Sequence, residues 1–190
     1  SLPSVLKELQ NYDYKIKIIV DRNDTETINS IKNFNVDLIF QKGKGYGNAL
    51  IEGIKNVETE YLCMFNADGS FNPNELPAMH NLMKLKNCDF IFASRYEKNC
   101  GSEDDTLITF LGNFIFTLIG KIFFKLLLTD ILYTFVMGKS QKAKDLKLEQ
   151  NDFSFCVELP IKANRNKMNL TTSRSYERKR IAGKKKVNAI

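Results

Sequence analysis

At 190 residues with 43% hydrophobic content, the chain can bury one substantial core, and its composition excludes a disordered chain. Its four cysteines, Cys63, Cys88, Cys100 and Cys156, form no C-x-x-C pair, which excludes a zinc ribbon or a disulfide-stapled frame and suits the reduced thiols of a cytosolic protein. The net charge of +6 is crowded into the tail at Arg174, Arg178, Lys179, Arg180, Lys184, Lys185 and Lys186. Such a run fits an anionic partner or a merely solvated surface.

In chain order, Leu2, Val5, Leu6 and Leu9 recur at helical spacing, and Pro3 is acceptable in a first turn. No leader pattern precedes them, and a start at Ser1-Leu2-Pro3 is expected to be a trimmed one. Residues 15–20 read as a strand ending at Asp21, and 26–33 as a helix. A short apolar run over 36–40 is followed by the flexible loop Gly43-Lys44-Gly45-Tyr46-Gly47 and a helix over 48–57. Residues 61–65 form a third strand, 73–86 a helix and 89–93 a fourth strand. Strands alternating with helices at this rhythm predict a mainly parallel, three-layer α/β domain with right-handed connections.

The third strand runs into Asn66-Ala67-Asp68-Gly69-Ser70. A carboxylate at the carboxyl end of a buried strand sits where open α/β sheets bind ligands. Asp68 can coordinate Mg2+ or Mn2+, and Asn66 can add a neutral carbonyl oxygen. By composition alone the same residues are a common strand-ending turn.

From 107 to 136 the chain is apolar on too many faces for an ordinary surface helix, yet Lys121 and Lys125 interrupt it. It reads as an interfacial helix with its lysines toward lipid head groups, or else as a core helix or dimer interface. The acids Asp104 and Asp105 before it are expected to cap and favour the helix dipole. The last third offers a helix over 155–163 and a strand candidate over 169–172.

In register, Asp21, Gly45-x-Gly47-x-Ala49-x-x-x-Gly53, Asn66-Ala67-Asp68-Gly69-Ser70, Ser94-Arg95-Tyr96 and Arg180-x-x-Gly183-Lys184-x-Lys186 resemble the family-2 glycosyltransferases of GT-A fold. The branch most similar is that of the polyprenyl-phosphate glycosyltransferases typified by dolichyl-phosphate mannose synthase. The resemblance covers almost the whole chain and implies a GT-A, Rossmann-like α/β/α domain. That domain divides into a nucleotide-sugar half, 1–103, and an acceptor and membrane-interface half, 104–190. The family's first strand and its loop are absent ahead of residue 2, which implies an N-terminally truncated sheet.

The resemblance gives Asp21 a nucleotide contact and lets the backbone at Gly45 and Gly47 approach the nucleotide. Asp68 matches the second carboxylate of the D-x-D metal motif, while Asn66 stands where the first belongs, so one anionic ligand is lost. Metal affinity is then expected to be weaker than with two carboxylates, unless Ser70 as a further ligand or the diphosphate itself compensates. Arg95, Arg180 and Lys186 look like the phosphate-binding cations. Asp130 matches an Asp near the acceptor that would take a proton from a hydroxyl, or it is a helix-terminal cap. Glu158 matches a family position where a structural ion pair is the competing reading.

The implied reaction is an inverting transfer from a nucleotide-diphosphate sugar, with Mg2+ or Mn2+, to a lipid-phosphate or saccharide acceptor. Its expected location is the cytoplasmic face of the inner membrane, as a peripheral protein of undetermined oligomeric state. A non-catalytic membrane-associated scaffold of the same fold is the alternative. With no tryptophan and no aromatic-interleaved basic platform, nucleic acid is not an expected partner.

Overall fold

The computed structural model describes residues 1–182. Helix α1 (Leu2–Leu9) buries Leu2, Val5, Leu6 and Leu9 and feeds β1 (Lys17–Val20). Helix α2 (Thr25–Ser30) is shorter than the sequence pattern; Asp24 caps it by accepting the Thr27 amide at 3.0 Å. Then follow β2 (Asp37–Phe40), α3 (Tyr46–Asn56) and β3 (Tyr61–Met64). A 3-10 turn leads into α4 (Leu76–Lys86) and β4 (Phe90–Ser94), every residue of which is buried.

The two-residue β5 (Gly101–Ser102) precedes the 18-residue α5 (Leu107–Phe124), which starts at a Thr106–Thr109 capping box and stops at Lys125 in left-handed backbone. The apolar stretch to residue 136 is therefore not one helix. Beyond Lys125 it turns inward, burying Leu126, Leu128, Ile131, Tyr133 and Phe135, and becomes β6 (Val136–Lys139). Helix α6 (Ser140–Asp145), α7 (Phe155–Arg165), β7 (Leu170–Arg174) and β8 (Tyr176–Glu177) complete the order.

A four-stranded sheet runs β3-β6-β4-β7, with β6 antiparallel to both neighbours and β4 parallel to β7. The mainly parallel sheet thus carries one antiparallel strand that sequence rhythm did not reveal. Alternation along β4 builds the layers: Phe90 and Phe92 join the core under α3, α6 and α7, while Ile91 and Ala93 join the one with Val5, Leu9, Met79 and Met83 from α1 and α4. Parallel strands β1 and β2 form a separate pair, and β5 pairs in parallel with β8.

Candidate active site

The turn after β3 is shaped by its own carboxylate. Asp68 Oδ1 accepts the Ser70 amide at 3.0 Å and the Ser70 hydroxyl at 2.7 Å. Gly69 sits at φ +87°, backbone that residues with a Cβ rarely adopt, and a Cβ there would also press on the Ile181 side chain. Ile181 is close because the distant segment 178–181 is strapped over the turn: the Ile181 amide donates to the Asp68 carbonyl at 2.8 Å and the Arg178 amide to the Ser70 carbonyl at 2.9 Å. The strap brings Arg180 Nη1 to 3.8 Å from Asp68 Oδ2. Asp104 holds the same guanidinium from the other side, with Nη2 to Oδ2 at 2.6 Å.

Beside this pair, Tyr46 donates its phenol to Asn66 Oδ1 at 3.0 Å and also meets the Thr134 hydroxyl. Burial pushes the Tyr46 phenol up, so it remains a protonated donor that fixes the Asn66 amide. Tyr46 also stacks on Phe153 with ring centroids 5.1 Å apart. Its only signal in the sequence was its place between two glycines.

A second cluster lies deeper. Arg95 meets Asp130 twice, through Nε to Oδ2 at 2.7 Å and Nη2 to Oδ1 at 3.1 Å. Its Nη1 reaches Glu177 at 3.0 Å and Asp105 at 3.4 Å, and its guanidinium lies 4.5 Å from the Tyr133 ring centre. Asn113 of α5 donates to Asp130 Oδ1 at 2.7 Å. Burial opposes the Arg95 charge, but the Asp130 and Glu177 carboxylates outweigh it and hold the guanidinium above its ordinary range. The short β5–β8 ladder delivers Glu177 and Ser102 to this cluster, and the Ser102 hydroxyl donates to Glu177.

Residues 1–146 match the family model described as glycosyl transferase family 2. The chain belongs to this family. Among characterised proteins it is 27% identical over 95 residues to the low-salt glycan biosynthesis hexosyltransferase Agl6 of Haloferax volcanii, a match covering 50% of this chain and 22% of that protein. The chain thus spans under a quarter of that relative. Among solved structures, glucosyl-3-phosphoglycerate synthase from Mycobacterium tuberculosis with phosphoglyceric acid superposes at a TM-score of 0.74 and 10% identity, covering 96% of this chain and 68% of that one. The same enzyme with Mn2+, UDP and glucosyl-3-phosphoglycerate gives a TM-score of 0.69 at 11% identity, with 94% and 67% covered. Mannosyl-3-phosphoglycerate synthase from Rubrobacter xylanophilus gives 0.65 at 11% identity, with 96% and 63% covered. These likenesses show the GT-A α/β fold.

On this family-2 fold the expected site residues separate into groups. Asp68 and Arg180 meet at the β3 turn, and Asn66, two residues before Asp68, is held by Tyr46. Ser70 is 1% exposed and spends its hydroxyl on Asp68, so it orients the carboxylate and does not face the site as a ligand. Asp130 is 1% exposed with both oxygens committed to Arg95 and Asn113, which corrects its reading as an accessible base or a helix cap. Arg95 is correspondingly enclosed by carboxylates, so it braces the site and is not an open phosphate cation.

Asp104 and Asp105 grip the two arginines, while the capping of α5 falls to Thr106. At Gly45, with φ +100°, and at Gly47, an added Cβ would meet the carbonyls of Asn151 and Gln150 at 2.2 and 2.1 Å. The backbone that approaches this loop is the chain's own, and that packing accounts for both glycines. Asp21 follows β1 directly and accepts the Asn23 amide at 2.8 Å; no direct contact among the described residues joins it to Asp68. Lys186 lies outside the described residues. Glu158 takes the structural reading, accepting the Glu149 and Gln150 amides and pairing with Lys162 at 2.8 Å.

Proposed function

We propose that this chain is the catalytic domain of an inverting, metal-dependent glycosyltransferase. It moves a sugar from a nucleotide-diphosphate sugar to a polyprenyl phosphate at the cytoplasmic face of a membrane. The observation that carries the reading is the convergence of Asp68 and Arg180 at the carboxyl end of β3. Departure of a nucleoside diphosphate builds negative charge, and a divalent ion with a guanidinium neutralises it there.

The residues present fit such an ion. Asp68 keeps Oδ2 clear of the Ser70 hydrogen bonds, and Asn66 is the neutral donor beside it. One carboxylate with water and substrate phosphates is an ordinary Mg2+ donor set. No group of three or more His, Cys, Asp or Glu suited to a metal occurs among the described residues, so most ligands would come from the donor diphosphate. When bound, the ion supplies Lewis-acid stabilisation of the leaving group. Asp68 would anchor it, Tyr46 and Ser70 hold the Asn66 and Asp68 side chains in place, and Arg180 would offer its guanidinium to a phosphate oxygen. The mycobacterial glucosyl-3-phosphoglycerate synthase is in complex with Mn2+ and UDP, which supports a donor of this class.

For the acceptor, Asp130 is enclosed and serves Arg95. An acceptor whose oxygen is already anionic needs no general base, so a lipid phosphate suits this site better than a saccharide hydroxyl. Helix α5 supports the same choice. Its buried residues are the polar Asn113 and Thr117 with Gly120, while Ile108, Phe114, Ile115 and Phe123 face outward. A helix that docks by its polar stripe and exposes its apolar one suits a bilayer surface, with Lys121 and Lys125 toward acidic head groups. It begins three residues after Asp104, the partner of Arg180, so a membrane met by this helix would lie near the guanidinium. The expectation of a family strand ahead of α1 belongs to the same proposal, and the split between the β1–β2 pair and the main sheet supports it.

The test is sugar transfer from a panel of UDP- and GDP-sugars, with Mn2+, to a short-chain polyprenyl phosphate in vesicles and to free saccharides. Transfer to the lipid phosphate that Asp68→Ala abolishes is expected. Equal traces from both proteins would favour the scaffold that Asn66, in place of a carboxylate, suggests.

A further inference from the structure

The strap that carries Arg180 is joined to the β3 turn by two main-chain bonds, from the Arg178 amide to Ser70 and from the Ile181 amide to Asp68. Those bonds hold strap and turn to each other. On one side the Lys179 amide also reaches Glu103 at 3.2 Å, beside the Asp104 that grips Arg180. On the other side the tie is a side chain, that of Arg178. Its Nη1 pairs with Glu8 of α1 at 3.0 Å, and its Nη2 donates to the Phe71 carbonyl, just past the turn, at 2.6 Å. Glu8 lies on the helix whose Val5 and Leu9 share a core with Phe71. One guanidinium thus spans strap, turn and a core-packed helix.

The surroundings of Arg178 are built rather than open. Its Nε is buried and has no hydrogen-bond partner among the described residues. Burial raises the Glu75 carboxyl, and the Arg178 charge is among the groups that oppose the rise, so a second carboxylate faces this guanidinium. Glu75 in turn accepts the Tyr176 amide at 3.0 Å, where the chain approaches the strap. An ion pair as exposed as Arg178–Glu8, at 31% and 38%, contributes little to stability by itself. Its effect on position is larger. Arg180 is two residues away, and a shift of about 1 Å in a group that must meet the reacting centre can cost on the order of 100-fold in rate.

We propose that Arg178 is a positioning residue: it latches the strap to α1 and the turn so that Arg180 stays beside Asp68, and it acts on the donor only through Arg180. The inference rests on the sugar-transfer reading of the Asp68–Arg180 pair and adds to it a residue outside that pair. A lysine at 178 could keep Glu8 or the Phe71 carbonyl but lacks the fork that holds both.

The test combines calorimetric titration of UDP and GDP in the presence of Mn2+ with residue-resolved amide exchange, on wild type, Arg178→Gln, Arg178→Lys, Arg180→Gln and the double variant Arg178→Gln, Arg180→Gln. Arg178→Gln should weaken nucleotide binding at least about fivefold, and Arg178→Lys should recover part of the loss. The double variant should bind within about twofold of Arg180→Gln alone, because a residue that acts through another adds nothing once that other is gone. Lys179→Gln removes the same charge from the strap and should stay within about twofold of wild type. The Ile181 amide, which bonds to Asp68, should exchange at least about tenfold faster in Arg178→Gln while the amides of β4 keep their wild-type rates, which shows the strap released and the fold intact. Wild-type affinity in Arg178→Gln, losses that multiply in the double variant, an equal loss in Lys179→Gln, or an unchanged Ile181 rate would each overturn the latch and leave the sugar-transfer reading standing. A wild type that binds neither nucleotide with Mn2+ would overturn both.

Discussion

Arg95 and Asp130 show how a residue's chemistry is set by what encloses it. Both were legible as charged positions of a sugar-transfer site, yet burial turns them on each other, with Asn113, Glu177 and Asp105 completing the shell. Removing one charge from a buried pair strands the other, which costs about 3 kcal/mol. Asp130→Asn should therefore lower unfolding stability by about that amount in urea titration, whereas an exposed catalytic base would change activity and leave stability alone.

Glu158 gives a pH signature. Burial alone would raise its carboxyl, but Lys162 and the Gln150 and Glu149 amides prevail and lower it from 4.5. A depressed folded pKa adds stability above the unfolded value, and that stability is lost as pH falls through the folded one. Stability should thus decline as pH drops below about 4.5, and Glu158→Gln should flatten that part of the profile while being less stable at pH 7. An unchanged profile would deny the carboxylate this role.

Elements built on period were readable: α1, β1, α3, β3, α4 and β4 follow from apolar spacing and turn residues. What escaped was decided by packing. β6 is a four-residue strand, Val-Met-Gly-Lys, with little pattern of its own, and it is defined by the slot it fills between β3 and β4. β5 and β8 are two residues each, too short for any periodic signal. For α5, hydrophobicity was plain in the sequence, but the direction of its apolar face was not, since that depends on Asn113 finding Asp130.

Each exposed apolar side chain on α5 adds roughly 1–2 kcal/mol of transfer into a bilayer interface. The triple variant Ile108→Ser, Ile115→Ser, Phe123→Ser should lose at least about thirtyfold in binding to vesicles with about 30% anionic lipid, measured by sedimentation, with unfolding stability nearly unchanged. Undiminished binding would remove the helix from the membrane account.

Across the whole molecule, the site depends on residues far apart in sequence. Asp68 was evident from its turn, whereas Arg180 was marked as a phosphate-binding cation by resemblance alone, and its place beside Asp68 comes from the strap of 178–181. Long-range placement of that kind leaves no local pattern to read. The Asp68–Arg180 pairing is where carboxylate, cation and donor would meet, and the central claim is that the two together gather a diphosphate around a divalent ion.

The most direct measurement is calorimetric titration of UDP and GDP into the protein with and without Mn2+, for wild type, Asp68→Asn and Arg180→Gln. Binding that needs Mn2+, disappears in Asp68→Asn and weakens at least about tenfold in Arg180→Gln is the expected result, since a charge-assisted contact contributes about 1.5–3 kcal/mol. Nucleotide binding of equal strength in all three proteins, or indifferent to the metal, would contradict it.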